Sequence, residues 1–192
     1  MLRRLYARVL DVASGPHALA AMLAVSFAES SFFPIPPDVL LIPMMLARPS
    51  RAWRLAALCT VSSVAGGVFG YAIGYFAYEA VGRPVLEFYD AMRHYDTLKA
   101  GFDAWGVWIV VVGGLTPIPY KLVTIASGVA QFDLLSFTAA SLVGRGARFF
   151  LLAALLWWFG DFAREFIERR LALVTTVFGV LLVGGFLVLR YL

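Results

Sequence analysis

The chain has 192 residues, 61% of them hydrophobic, and a formal net charge of +4 from 16 Lys and Arg against 12 Asp and Glu. Its mean hydropathy of +0.83 and its apolar share exclude an ordinary soluble globule, in which such residues make up roughly half, and its length predicts a single membrane domain over 1–192. The basic excess suits anionic lipid headgroups; no nucleic-acid motif accompanies it, and Cys59 as the only cysteine excludes an internal disulfide.

Residues 1–14 put Leu2, Leu5, Tyr6, Val9, Val12 and Ala13 on one helical face and Arg3, Arg4, Arg8 and Asp11 on the other. This predicts an amphipathic helix over 1–16 lying on the membrane, with a mitochondrial presequence as the alternative; a secretory signal would need an apolar core and a small-residue cleavage site. Apolar stretches follow at about 17–47, 55–82, 104–132, 134–160 and 171–191. A spanning helix needs roughly 20 apolar residues, which the second, fourth and fifth supply without interruption. The first is cut at Pro34-Ile35-Pro36-Pro37-Asp38 and the third at Pro117-Ile118-Pro119-Tyr120-Lys121. Proline removes a backbone donor and clashes with the preceding turn, so a helix cannot run through either site. Each interrupted stretch reads as a re-entrant helical hairpin that enters and leaves on the same side. Between them, Val85, Phe88, Tyr89, Met92 and Tyr95 recur at helical spacing, which predicts an outer amphipathic segment over 83–103. Residues 161–192 are expected to carry the C-terminal transmembrane helix.

Charge placement agrees. With 17–47 as a hairpin, Arg3, Arg4, Arg8, Arg48, Arg51, Arg54, Arg164, Arg169 and Arg170 fall on one side, against Arg83, Arg93, Lys99 and Arg190 on the other. The positive-inside rule makes the first side, with the N-terminus, cytoplasmic. Two repeats emerge, 17–82 and 104–160, each a Pro-broken hairpin followed by a full helix with a glycine cluster. An odd number of crossings between them inverts the second. The expected fold is an all-α polytopic membrane protein built from two inverted repeats. Paired breaks in corresponding positions of two halves point to a transporter-type binding site. Gly66, Gly70 and Gly74, four apart, allow close helix packing, either within the chain or at a dimer seam; homo-oligomerisation is left open.

Five ionisable residues lie inside apolar stretches: Glu29, Asp38, Lys121, Arg145 and Arg148. At roughly 2.5–3.5 kcal/mol each for a helix centre, five unpaired charges would cost on the order of 12–17 kcal/mol, comparable with a whole domain's stability of about 5–15. They must therefore be paired, hydrated or near the surface. Two acids against three cations leave one cation over. Asp38 also suits the N-terminus of a helix. Lys121, in the corresponding place of the second break, conflicts with the helix dipole, which favours a role in holding an anion or an acid. Arg145 and Arg148 share a helix face, and guanidinium suits phosphate or carboxylate. His17 and His94 have no partners at metal-ligand spacing, and no nucleotide-binding, hydrolase or metalloprotease motif occurs. Neither an enzyme, a metal nor a cofactor is expected.

The run Phe27-Ala28-Glu29-Ser30-Ser31-Phe32-Phe33-Pro34-Ile35-Pro36-Pro37-Asp38, with Thr116-Pro117-Ile118-Pro119-Tyr120-Lys121 and Ala126-Ser127-Gly128, resembles the DedA family, also called the SNARE-associated or VTT-domain family, and within it the YqaA-like branch. The resemblance covers about 17–160. It implies two facing re-entrant hairpins and a role in moving lipids, such as undecaprenyl phosphate or phospholipids, between the leaflets of the bacterial inner membrane, with proton coupling suggested. The family's intramembrane acids map onto Glu29 and Asp38. Its motif Arg-Phe-x-Pro-x-x-Arg is matched at Pro117, while Gly114 and Tyr120 stand where the two arginines would be. On this reading Glu29 and Asp38 carry the coupling proton, and Lys121, Arg145 and Arg148 hold the phosphate of a lipid. The alternatives are a small-ion or proton-coupled transporter and a membrane assembly factor without transport.

Overall fold

A computed structural model of the protein describes residues 15, 17–88, 92–116 and 118–160. The expected helices over 1–16 and 161–192, and Pro117, lie outside the described residues. Within them all regular structure is helical: α1 (Ala18–Ser31), α2 (Asp38–Ala47), α3 (Ala52–Ala77), α4 (Arg83–Phe88), α5 (Met92–Leu115), α6 (Tyr120–Val129) and α7 (Leu134–Gly160). Three stretches, Pro49–Ala80, Tyr95–Leu115 and Leu134–Gly160, are long and apolar enough to cross a membrane. With the sequence pattern, this makes the chain a polytopic membrane protein. At 1.5 Å per residue, α1, α2 and α6 reach only about 21, 15 and 15 Å, short of a hydrocarbon core about 30 Å thick.

Proline chemistry sets both breaks. Helix α1 closes when the N–H groups of Phe32 and Phe33 both turn onto Ala28 O, each at 2.8 Å. Pro34 and Pro36 then prevent continuation, and Pro37 caps α2 with its carbonyl accepting from Leu40 and Leu41. Phe32, Phe33 and Ile35 leave an apolar, exposed tip. The second break begins at Thr116, whose N–H closes α5 onto Val112 O, and ends at Pro119, which caps α6.

One boundary differs from the sequence reading. A separate segment over 83–103 is not seen; α5 runs unbroken from Met92 to Leu115. Nothing around position 103 stops a helix. Ala100 and Ala104 are strong formers, and Asp96 and Asp103 are exposed, so they impose no cost. The irregularity falls earlier, at a π-helical turn over Tyr78–Gly82, where the Tyr78 and Tyr95 rings stack at 4.4 Å and tie the end of α3 to the start of α5.

Helix α3 is the central strut. Its buried positions recur three or four apart through Ala52, Ala56, Cys59, Ser63, Gly66, Gly70 and Gly74. At Gly66 a methyl group would collide with the Phe27 carbonyl of α1, and at Gly74 with the Ile125 carbonyl of α6. The glycine stripe is thus occupied within the chain, against α1 at one end and α6 at the other. Hydroxyls stitch the contact: Ser62 Oγ donates to Leu23 O at 2.7 Å and Ser26 Oγ to Cys59 O at 3.0 Å. Such small-residue seams with interhelical hydrogen bonds replace the missing hydrophobic drive between helices in lipid.

Two apolar clusters follow. One joins α1 and α2 to the first half of α3 and the second half of α7, through Met22, Leu41, Met45, Cys59, Phe149 and Ala153. The other joins α5 and α6 to the second half of α3 and the first half of α7, through Val110, Val123, Tyr71 and Phe137. Helices α3 and α7 therefore run past each other, with one Pro-broken segment packed at each end.

Candidate functional site: two buried acid–arginine pairs

Between the two clusters the intramembrane charges meet. Glu29 sits near the end of α1, Asp38 opens α2, and Arg145 and Arg148 lie midway along α7. The pairing is one to one: Arg145 Nη2 to Glu29 Oε2 at 2.8 Å and Arg148 Nη2 to Asp38 Oδ2 at 2.6 Å. A break that turns the chain within six residues presents both acids to one face of α7, where arginines three apart are neighbours.

The two pairs differ in enclosure. The Arg145 side chain is 3% exposed and that of Glu29 13%. Arg145 Nε also donates to Ser63 Oγ at 2.6 Å, and Ser30 Oγ donates to Glu29 Oε2 at 3.2 Å. Since Ser30 has one hydroxyl proton and donates it to Glu29, Ser63 is the donor to Ser30, 2.7 Å away. Arg145, Ser63, Ser30 and Glu29 form a closed ring of hydrogen bonds. The guanidinium lies 4.9 Å from the Tyr120 ring centre and 4.7 Å from that of Phe149, a cation held between aromatic faces. By contrast, the Arg148 side chain is 25% exposed and is held by Asp38 and by Thr116 O, at 3.1 Å. That carbonyl is one left free at the second break, so Arg148 bridges the first break to the second.

A further link joins the breaks directly. Thr124 Oγ1 of α6 lies 3.0 Å from Ser30 O at the end of α1. Gly70 faces both groups, and a methyl there would collide with Thr124 Oγ1.

Of the residues expected at the site, Glu29, Asp38, Arg145 and Arg148 are brought together. Lys121 is not: it is half-buried on α6 and makes no ion pair among the described residues. It is the surplus cation that the charge count required. Pro37 is buried, Pro36 and Pro119 are half-buried and Pro34 is exposed. Sequence reasoning passed over Ser30, Ser63 and Thr124, although hydroxyls beside intramembrane charges are a signal for interhelical hydrogen bonds. It also left Phe149 unread. The two positions that depart from the family motif both abut Arg145: Gly114 lies against the Gly144–Arg145 backbone, and Tyr120 lies beside the guanidinium.

A VTT domain matches residues 35–158, which contain Asp38, Lys121 and both arginines. The chain is 34% identical to an uncharacterized protein of Haemophilus influenzae over 186 residues, covering 97% of this chain and 96% of that one. It is 35% identical to an uncharacterized protein of Histophilus somni, covering 81% of each. No solved structure matches it. The domain match over 35–158, which takes in the second break and both arginines, with a relative aligned nearly end to end, shows that the chain belongs to the VTT-domain, or DedA, family of membrane proteins.

Proposed function

We propose that the protein is a transporter of the bacterial inner membrane that moves a phosphate-bearing lipid between leaflets, coupled to protons, with the N-terminus cytoplasmic. The observation that carries this reading is the pair of acid–arginine contacts between two Pro-broken segments and one helix. Intramembrane charges are costly and mark ion or substrate pathways, and broken helices that meet across two halves are a transporter plan. The placement of one broken segment at each end of α3 and α7 supports inverted repeats with re-entrant hairpins. Arg148, partly open and held by a single carboxylate, is the group a phosphate can win; protonation of Asp38 releases it. Glu29 is the second acid of the proton path, and Lys121 adds an unpaired positive charge for the headgroup. The reading is of a carrier and not of an enzyme.

The test is leaflet-resolved lipid transfer in liposomes containing the purified protein, with and without a pH gradient. Transfer of an anionic lipid that depends on the gradient and is lost in Asp38→Asn supports the proposal. Gradient dissipation without lipid transfer would indicate a small-ion carrier, and neither activity would indicate an assembly role.

A further inference from the structure

A second basic feature lies away from the ion-paired centre. A cavity of about 340 Å³ opens where the start of α1 meets the turn between α2 and α3, lined by Arg48, Arg51 and Arg54 together with Leu19, Leu55 and Leu58. The volume is within the range of small-molecule sites, about 300–1,000 Å³. The Pro49–Arg51 turn leads straight into α3, so Arg51, Leu55 and Leu58, four and three apart, share one helical stripe along the cavity wall. None of the three arginines makes an ion pair among the described residues.

Its depth is marked by aromatic residues. Trp53 is exposed and packs beside Phe150, and Trp157 and Trp158 are exposed near the end of α7, where Gly160 approaches Leu46 of α2. Exposed tryptophans of this kind sit at the headgroup level of a bilayer. The cavity is also far from the paired acids: Ala18, on its wall, is eleven residues before Glu29, about 16 Å along a helix. Residues 1–14 carry Arg3, Arg4 and Arg8 against one acid, Asp11, so their charge does not complement a wall of arginines.

We propose that this cavity binds the phosphate headgroup of an anionic phospholipid from the adjoining leaflet, with its acyl chains along Leu19, Leu55 and Leu58. The site is separate from the ion-paired centre and does not depend on the transport reading. A phosphodiester gives the three guanidiniums a shared acceptor, and anionic lipid is attracted to clustered arginines at the membrane surface.

The test titrates the full-length chain in nonionic micelles with dioctanoyl phosphatidylglycerol, dioctanoyl phosphatidylcholine or inorganic phosphate. Melting temperature and bound-lipid mass are the readouts. Saturable binding of phosphatidylglycerol is expected, at least tenfold tighter than that of phosphatidylcholine or phosphate. R48Q/R51Q/R54Q should lose it. Ala47→Trp fills the cavity from its exposed wall and keeps every charge, so it should weaken binding at least fivefold. Asp103→Asn, exposed on α5 and remote from both centres, should bind as the parent does. Equal binding of the two lipids, phosphate binding as tight as lipid, no saturable binding at all, or an Ala47→Trp protein that binds normally would each overturn the proposal. The last would show a diffuse basic surface in place of a site.

Discussion

At the scale of single residues, the two arginines divide into a lock and a latch. Arg145 donates to a carboxylate and a hydroxyl and is flanked by two aromatic rings. Removing its counter-charge leaves a buried cation unpaired, which costs about 3–5 kcal/mol. Glu29→Gln should therefore lower thermal stability in micelles markedly, and Asp38→Asn, whose partner is more exposed, should lower it less. Equal losses would mean that enclosure does not separate the pairs. Arg148→Lys keeps the charge but loses the fork that reaches Asp38 and Thr116 O together. The chain should assemble normally, while lipid transfer in liposomes falls roughly tenfold as phosphate recognition is lost. The one-to-one match was only half legible in the sequence. Charge counting required pairing and one surplus cation, and three-residue spacing placed both arginines on one face. Which acid meets which arginine depends on how the first break turns, and the serines that close the ring around Arg145 look like any hydroxyls in an apolar run.

Among the elements, α3 shows how glycine spacing becomes geometry. Gly66→Ala should push α1 from α3 and destabilise by about 1–3 kcal/mol, the usual scale of overpacking. Gly101→Ala, on α5 with open space around it, should instead stabilise by about 0.5–1 kcal/mol, since it removes a mid-helix glycine. Thermal unfolding of the two variants should thus shift in opposite directions, and shifts of the same sign would contradict the packing. Asp133 caps helix α7, its Oδ1 accepting from the Ser136 N–H at 2.8 Å; the Ser136 hydroxyl and N–H hold its carboxyl below the ordinary value of 3.8. A lowered folded value means stabilisation that is present above the ordinary carboxylate range and lost as pH falls through it. Asp133→Asn keeps an acceptor at the cap, so the acid limb of the unfolding profile below about pH 4 should flatten. The breaks themselves were legible because proline acts locally. The true start of α5 was not, because a π turn and ring stacking between Tyr78 and Tyr95 are tertiary facts without a local signature.

For the whole molecule, topology is the open quantity of greatest weight. In the proposed orientation, which follows the arginine bias, position 51 is cytoplasmic and position 96 outside. Single cysteines at 51 and 96, in a Cys59→Ser background, should react with an impermeant thiol reagent in intact cells only at 96. Cys59 is buried and 3.3 Å from Ser26 Oγ, a setting that suits serine. Labelling at 51 from outside would reverse the proposed orientation. The all-helical, polytopic membrane character was legible from hydropathy, which acts over tens of residues. What escaped was the meeting of α6 with α3 at Gly74 and with α1 at Ser30, contacts that only the finished packing creates.

The long span of the ion pairs has a consequence for biosynthesis. Glu29 and Arg145 are 116 residues apart in the chain, and Asp38 and Arg148 are 110 apart. At roughly 5–20 residues per second of synthesis, each acid waits on the order of 6–22 s before its arginine leaves the ribosome. Through that interval the first two helices meet the membrane without their counter-ions. The arginines, arriving last, supply the counter-charges and close the structure. A ribosome stalled before position 145 would hold a chain with both breaks made and neither pair formed, so the two acids inside the apolar stretches wait for α7 before protein can match their charge.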